Sequence, residues 1–181
     1  MAIKAGVVFV SKFCVPSAKA FGNYINYIDR DEATRVDNDY KFNLYNDYMG
    51  NTEKTSGLFT YDKDKLTQKE KKSLKDNFKA AQENESIMWQ HVISFDNEWL
   101  KECGIINKET DQINEIRLRE ATRAAMLQLQ KDEGLENAIW SAAIHFNTDN
   151  IHIHIAMVEP VPMREMKNGQ RRGKLKPKTL E

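Results

Sequence analysis

Cysteine is scarce in this chain. Its two cysteines, Cys14 and Cys103, stand far apart with no CxxC pair, which excludes a disulfide framework and a cysteine metal site and suits a reducing compartment. Net charge is also absent: 27 Lys and Arg balance 27 Asp and Glu, so no overall field advertises a polyanionic partner. No apolar run is long enough to span a membrane. The opening stretch Met1–Val10 is apolar but short, and no small-residue cleavage site follows it. The expected compartment is therefore the cytoplasm. There is no internal repeat and no low-complexity block, although the polar segment from Asp29 to Lys54 carries little periodic signal.

What remains is an ordinary globular balance. The chain has 181 residues, 40% hydrophobic and 30% charged, enough for one domain with a real core. The charge is unevenly spread: from Met163 onward, seven Lys or Arg face two Glu. This divides the chain into residues 1–162, the expected main globular domain, and residues 163–181, a basic C-terminal segment expected to lead into a longer protein. Gly169 and Gly173 should keep that segment pliable. A local basic segment on a neutral chain is an anion-binding feature, or else a solvated tail.

The hydrophobic pattern alternates between two periods. Ala5 to Cys14 reads as a strand, and Ser17 can cap a helix running to about Asp29 with Phe21, Tyr24, Ile25 and Ile28 at helical spacing. Asp37 to Thr55 reads as a long loop. Thr67 and Glu70 form a capping box for a helix to about Glu85, with Leu74, Phe78 and Ala81 as its stripe. A strand over Ile87–Phe95 and a short helical turn near Trp99 follow. A long helix from Asp111 to Asp132 is expected to bury Ile113, Ile116, Leu118, Ala121, Ala124 and Leu127, with Gly134 as its stop. Two apolar strands, Ala138–Phe146 and Ile151–Val158, are joined too closely for a parallel crossover. The expected fold is α+β, a central antiparallel sheet flanked by helices.

Three of the four histidines fall within ten residues, in Ala143-Ile-His145-Phe-Asn-Thr-Asp-Asn-Ile-His152-Ile-His154-Ile. Asn147-Thr-Asp-Asn150 carries turn chemistry. Pairing Phe146 with Ile151 across that loop sets His145 opposite His152. Alternation then puts His154 on the same face, with Trp140, Ile144, Phe146, Ile151, Ile153 and Ile155 on the other. Cβ atoms of such partners lie about 5 Å apart directly and about 7–8 Å diagonally. Three imidazoles at that spacing suit one cation and leave coordination positions open, as catalytic metal sites do. Imidazole favours Zn, Mn, Fe, Co or Ni over Mg. The fourth histidine, His91, alternates with Trp89, Ile93 and Phe95 and reads as a core or sheet residue.

His145, His152 and His154 resemble the three-histidine motif of the HUH relaxases, whose last two histidines flank one hydrophobic residue. The chain is similar to Mob-type relaxases of conjugative and mobilizable elements, nearest the MobL or MobP branch of Gram-positive bacteria. The resemblance runs through Ser17–Arg30, Trp89–Asp96 and Ala138–Pro160, with the last block the specific one. One departure is Asn147, where many relatives carry Asp.

The resemblance implies a metal-dependent endonuclease and transesterase that nicks one DNA strand at an origin of transfer by tyrosine attack, leaving a 5′-phosphotyrosine and a free 3′-OH. The fold it implies is an HUH palm of the ferredoxin or RRM type. Tyr27 fits the nucleophile's Tyr-Ile pattern best, with Tyr24 as the reserve. The chain has no tyrosine after Tyr61, which is the relaxase order and not that of replication initiators. The implied cofactor is a divalent metal, Mn or Mg first and Zn, Co or Ni as alternatives. The implied partners are single-stranded origin-of-transfer DNA and relaxosome accessory proteins. Arg164, Lys167, Arg171, Arg172, Lys174 and Lys176, with Lys178 beside them, are the candidate phosphate contacts. Two rival readings stay open: a non-catalytic, metal-containing DNA-binding module, and a nucleotide hydrolase or transferase of the histidine-triad kind, which Ala156 disfavours by occupying the third histidine's place.

Overall fold

The computed structural model describes residues 5–16, 57–146 and 150–180. The helix expected from Ser17, with Tyr24 and Tyr27, and the turn residues Asn147–Asp149 lie outside the described residues. Four strands, β1 (Val7–Cys14), β2 (Met88–Phe95), β3 (Ile139–His145) and β4 (Ile151–Val158), form one sheet in the order β1-β2-β4-β3. Every neighbouring pair is antiparallel. Three α-helices accompany them among the described residues: α1 (Gln68–Glu83), α2 (Asn97–Glu102) and α3 (Glu115–Glu133). The fold is α+β, as the sequence pattern implies. Among the described residues, no helix is long and apolar enough to cross a membrane.

The sheet separates two cores. On one face Trp89, Ile93, Phe95, Trp140, Ile144, Ile151, Ile153 and Ile155 pack with Leu100 of α2 and with Leu118, Met126 and Leu129 of α3. On the other face Met88, Ala143, Ala156 and Val158 pack under Leu74, Phe78 and Ala81 of α1. The α1 capping box forms as its spacing requires: the Thr67 hydroxyl accepts from the Glu70 N–H, and the Glu70 carboxylate accepts from the Thr67 N–H.

Helix α3 departs from its expected phase and start. Ile116 and Leu127 are 60% and 57% exposed, and Ala121 and Ala124 also face outward. The buried stripe is Leu118, Thr122, Met126, Leu129 and Gln130. Two of its members are polar, which hides it from an apolar count. The Thr122 hydroxyl donates to the Leu118 carbonyl, and the Gln130 amide donates to the carbonyls of Leu135 and Ala138, so neither is a lost hydrogen bond. The helix starts late because residues 107–112 close on themselves. The Asn107 side chain accepts from the N–H groups of Glu109 and Thr110, its own N–H donates to Gln112, and Asn114 then caps α3. Gly134 ends it in the left-handed conformation, φ 65°, where a Cβ is disfavoured.

His91 is fully buried on the α3 side of the sheet, its Nδ1 3.0 Å from the Ser11 hydroxyl and its ring stacked on Phe9. Burial pushes its pKa from 6.5 down to about 3. Between those values the unfolded chain binds a proton that the folded chain refuses, so stability is lost as pH falls below about 6.5. The His91→Gln variant is expected to flatten the pH dependence of urea unfolding between pH 6.5 and 4.5 by one proton, about 1.4 kcal/mol per pH unit. A slope equal to that of the native chain would overturn this reading.

Candidate functional site

The face of the sheet opposite α3 carries four rows of residues, read across β1, β2, β4 and β3. The first is Val8, Ser94, His152 and His145, the second Val10, Val92, His154 and Ala143, and the third Lys12, Gln90, Ala156 and Ser141. The fourth row is Cys14, Met88, Val158 and Ile139. All four of its residues, with Ala143 and Ala156, belong to the core under α1. The histidines thus stand at the end of the face where, among the described residues, no helix joins the core.

The register is the one that the short β3–β4 connection implies. His145 is the direct partner of His152, and His154 lies two residues along the same strand. The rings of His145 and His154 are 4.4 Å apart between centroids, and those of His152 and His154 are 6.5 Å apart and edge-on. Burial lowers the His145 pKa to about 4, with help from the neighbouring His152. Burial likewise lowers His154 to about 4, with smaller contributions from His145 and His152. Both rings are therefore neutral at pH 7, each with a nitrogen lone pair to offer. The Nδ1 of His152 is buried and meets no hydrogen-bond partner among the described residues. Among the described residues, however, no set of three His, Cys, Asp or Glu side chains closes into a metal-ligand arrangement.

One contact that sequence spacing does not reveal holds the start of β4. The Ile151 N–H donates to the Asn97 side chain, 3.1 Å away at the first position of α2. Asp96, the N-cap of α2, accepts from the Trp99 N–H, so the residue before Asn97 is itself fixed by a cap. The only local sign was Asp96-Asn97, which reads simply as a strand end.

The basic segment lies elsewhere. Residues 163–180 are seated on the α3 side of the sheet, with Leu175 in that core and the Trp89 indole N–H donating to the Gly173 carbonyl at 2.6 Å. A Cβ at Gly173 would come within 2.2 Å of the Phe13 ring, so this glycine serves close packing and not the expected pliability. Of the six cations expected to hold phosphates, three are engaged with the protein. Arg164 pairs with Glu133 at 2.8 Å and lies over the Trp89 ring. Arg171 donates to the Arg164 carbonyl, and the Lys176 ammonium donates to the Asp132 carbonyl. Lys167, Arg172 and Lys174 are exposed. Trp89 is three to five residues along β2 from the partners of His154 and His152, about 10–17 Å at the usual rise of a strand, and on the other face.

No curated protein and no solved structure matches this chain. One protein family does, and its match covers residues 4–181, nearly the whole sequence. With a three-histidine face on an antiparallel sheet and a family match of that length, the chain belongs to the MobL relaxases.

Proposed function

We propose that this relaxase nicks one strand of origin-of-transfer DNA by attack of Tyr27 on a phosphodiester, with His145, His152 and His154 holding a divalent metal beside the scissile phosphate. The observation that carries the proposal is the register: two adjacent strands bring three imidazoles, two of them neutral at pH 7, to one face. The three rings do not close on one point as they stand, so ion binding would have to select other staggered rotamers. The donor set fits a catalytic ion because three imidazoles leave positions open for phosphate oxygens. The ion, when bound, supplies Lewis-acid polarisation of the phosphate.

The protein residues perform the transfer. The Tyr27 oxygen bonds to phosphorus, the bond from phosphorus to the 3′-oxygen breaks, and the phenol proton ends on that 3′-oxygen. A phosphodiester is conserved, so the reverse reaction reseals the strand. A free phenol has a pKa of about 10, and a nearby cation favours its ionised form. Tyr24, one helical turn earlier in the expected helix, is the reserve nucleophile. Lys167, Arg172 and Lys174 contact the DNA away from the scissile phosphate.

The test is covalent capture. A 3′-labelled single-stranded oligonucleotide spanning the origin of transfer of the encoding element is incubated with the protein and Mn²⁺ or EDTA, then run on a denaturing gel. Label shifts to protein mass with Mn²⁺ in the native chain and in Tyr24→Phe, and the shift disappears in Tyr27→Phe. Tight DNA binding with no adduct under any metal would instead support a non-catalytic binding module.

A further inference from the structure

We propose that Gln90 and Lys12 form a phosphate-positioning subsite, independent of the metal, that takes a DNA phosphate flanking the scissile one. The inference rests on the relaxase reading above. It starts from a donor that finds no acceptor among the described residues. The Nε2 of Gln90 is buried and meets no hydrogen-bond partner among the described residues, and leaving such a donor unsatisfied costs about 1–3 kcal/mol in a folded chain. A donor kept at that cost on a face where its strand neighbours two residues away are the apolar Met88 and Val92 points to a ligand that completes it.

The register says which ligand. Gln90 pairs directly with Lys12 on β1 and with Ala156 on β4. All three share the histidine face, one row from His154. Two residues of strand set rows about 7 Å apart, within reach of a second phosphate on a strand whose first phosphate lies at the histidines. An amide N–H₂ and an ammonium are both donors with no competing negative charge of their own, the pairing that recognises phosphate oxygens without reading a base. Val8 and Val10, 47% and 45% exposed, complete the β1 border of that face and carry no charge to repel a polyanion. The basic C-terminal segment does not serve this role, because it is seated on the opposite face.

The variants are Gln90→Leu and Lys12→Met, which keep side-chain size and remove the donors. The probe is the single-stranded oligonucleotide mapped by covalent capture, in EDTA, with one neutral methylphosphonate placed in turn at each of the two phosphates flanking the nick. Native protein is expected to lose about 3–10-fold in affinity when the contacted phosphate is neutralised, while Lys12→Met starts weaker, loses less at that position, and has a salt slope smaller by about one unit. Gln90→Leu is expected to bind more weakly yet melt at a higher temperature, because it removes an unsatisfied buried donor. A purely structural Gln90 predicts the same rise in melting temperature with native affinity. Native-like affinity of both variants at both flanking phosphates overturns the inference. If native protein also forms an adduct, the relaxase reading survives; absence of the adduct from the native chain overturns that reading instead.

Discussion

Alanine at His152 is expected to lower Mn²⁺ affinity by at least about 100-fold, with a matching loss of covalent adduct, while the protein stays folded. Even partners that only orient a metal-bound histidine cost about 10–100-fold when removed, and deleting one of three ligands is the larger change. His152 is the cleanest of the three to replace. It is half-buried at the end of the face, whereas His145 is buried with its ring tilted against that of His154, 4.4 Å away, so that truncation of His145 would also open a gap. The affinity is measured by titration calorimetry with Mn²⁺ alone, so that a binding defect is read separately from a catalytic one. Thermal unfolding within a few degrees of the native chain excludes collapse as the cause. Native Mn²⁺ affinity in His152→Ala would remove this histidine from the proposed ligand set.

Glu133→Ala is expected to destabilise the fold by about 3–5 kcal/mol. Glu133 is the last residue of α3, and its carboxylate gathers three donors from the C-terminal segment. It accepts from the Arg164 guanidinium at 2.8 Å, the Lys176 N–H at 2.7 Å and the Thr179 hydroxyl at 2.7 Å. Its side chain is 2% exposed and that of Arg164 is 13% exposed, so removing the acid leaves a charge nearly out of water without its partner. Burial works to raise the Glu133 pKa, but the hydrogen bonds from Lys176, Thr179 and Arg164 outweigh it and hold the carboxyl below its usual range. The stabilisation is therefore present above about pH 4.5 and lost as pH falls through the lowered value. Urea unfolding gives the magnitude, and trypsin gives the location: cleavage after Lys167, Arg171, Arg172 or Lys174 should accelerate in the variant. A change below about 1 kcal/mol with unaltered cleavage would mean that Leu175 and the Gly173–Phe13 contact hold the segment without Glu133.

These two sites differ in how visible they were beforehand. The histidine face was legible because everything that makes it is local: alternation along one strand, a short turn, and the register the turn enforces. The α1 capping box was legible for the same reason. The phase of α3 was not, because Thr122 and Gln130 are buried through bonds to backbone groups that a pattern of apolar letters does not register. The seat of the C-terminal segment was not legible either. Arg164 and Glu133 are 31 residues apart, and Trp89 and Gly173 are 84 apart. A run of Lys and Arg looks the same whether its side chains reach for phosphate or for a carboxylate in the same chain. Nor could spacing pair Lys12 with Gln90, since the strands they occupy meet only through the sheet order.

The strict alternation of β4 constrains how this chain can change over generations. Ile151, Ile153 and Ile155 face one core while His152 and His154 face the other side. Deleting a single residue early in this strand would exchange the two sets, turning imidazoles into the packed interior and isoleucines toward the histidine face, because side chains repeat every second position. Loss of two residues would keep the partition and only shorten it. Length changes in β4 are thus tolerated in pairs or not at all, and the lineage of such a protein should vary instead in the connections between its strands.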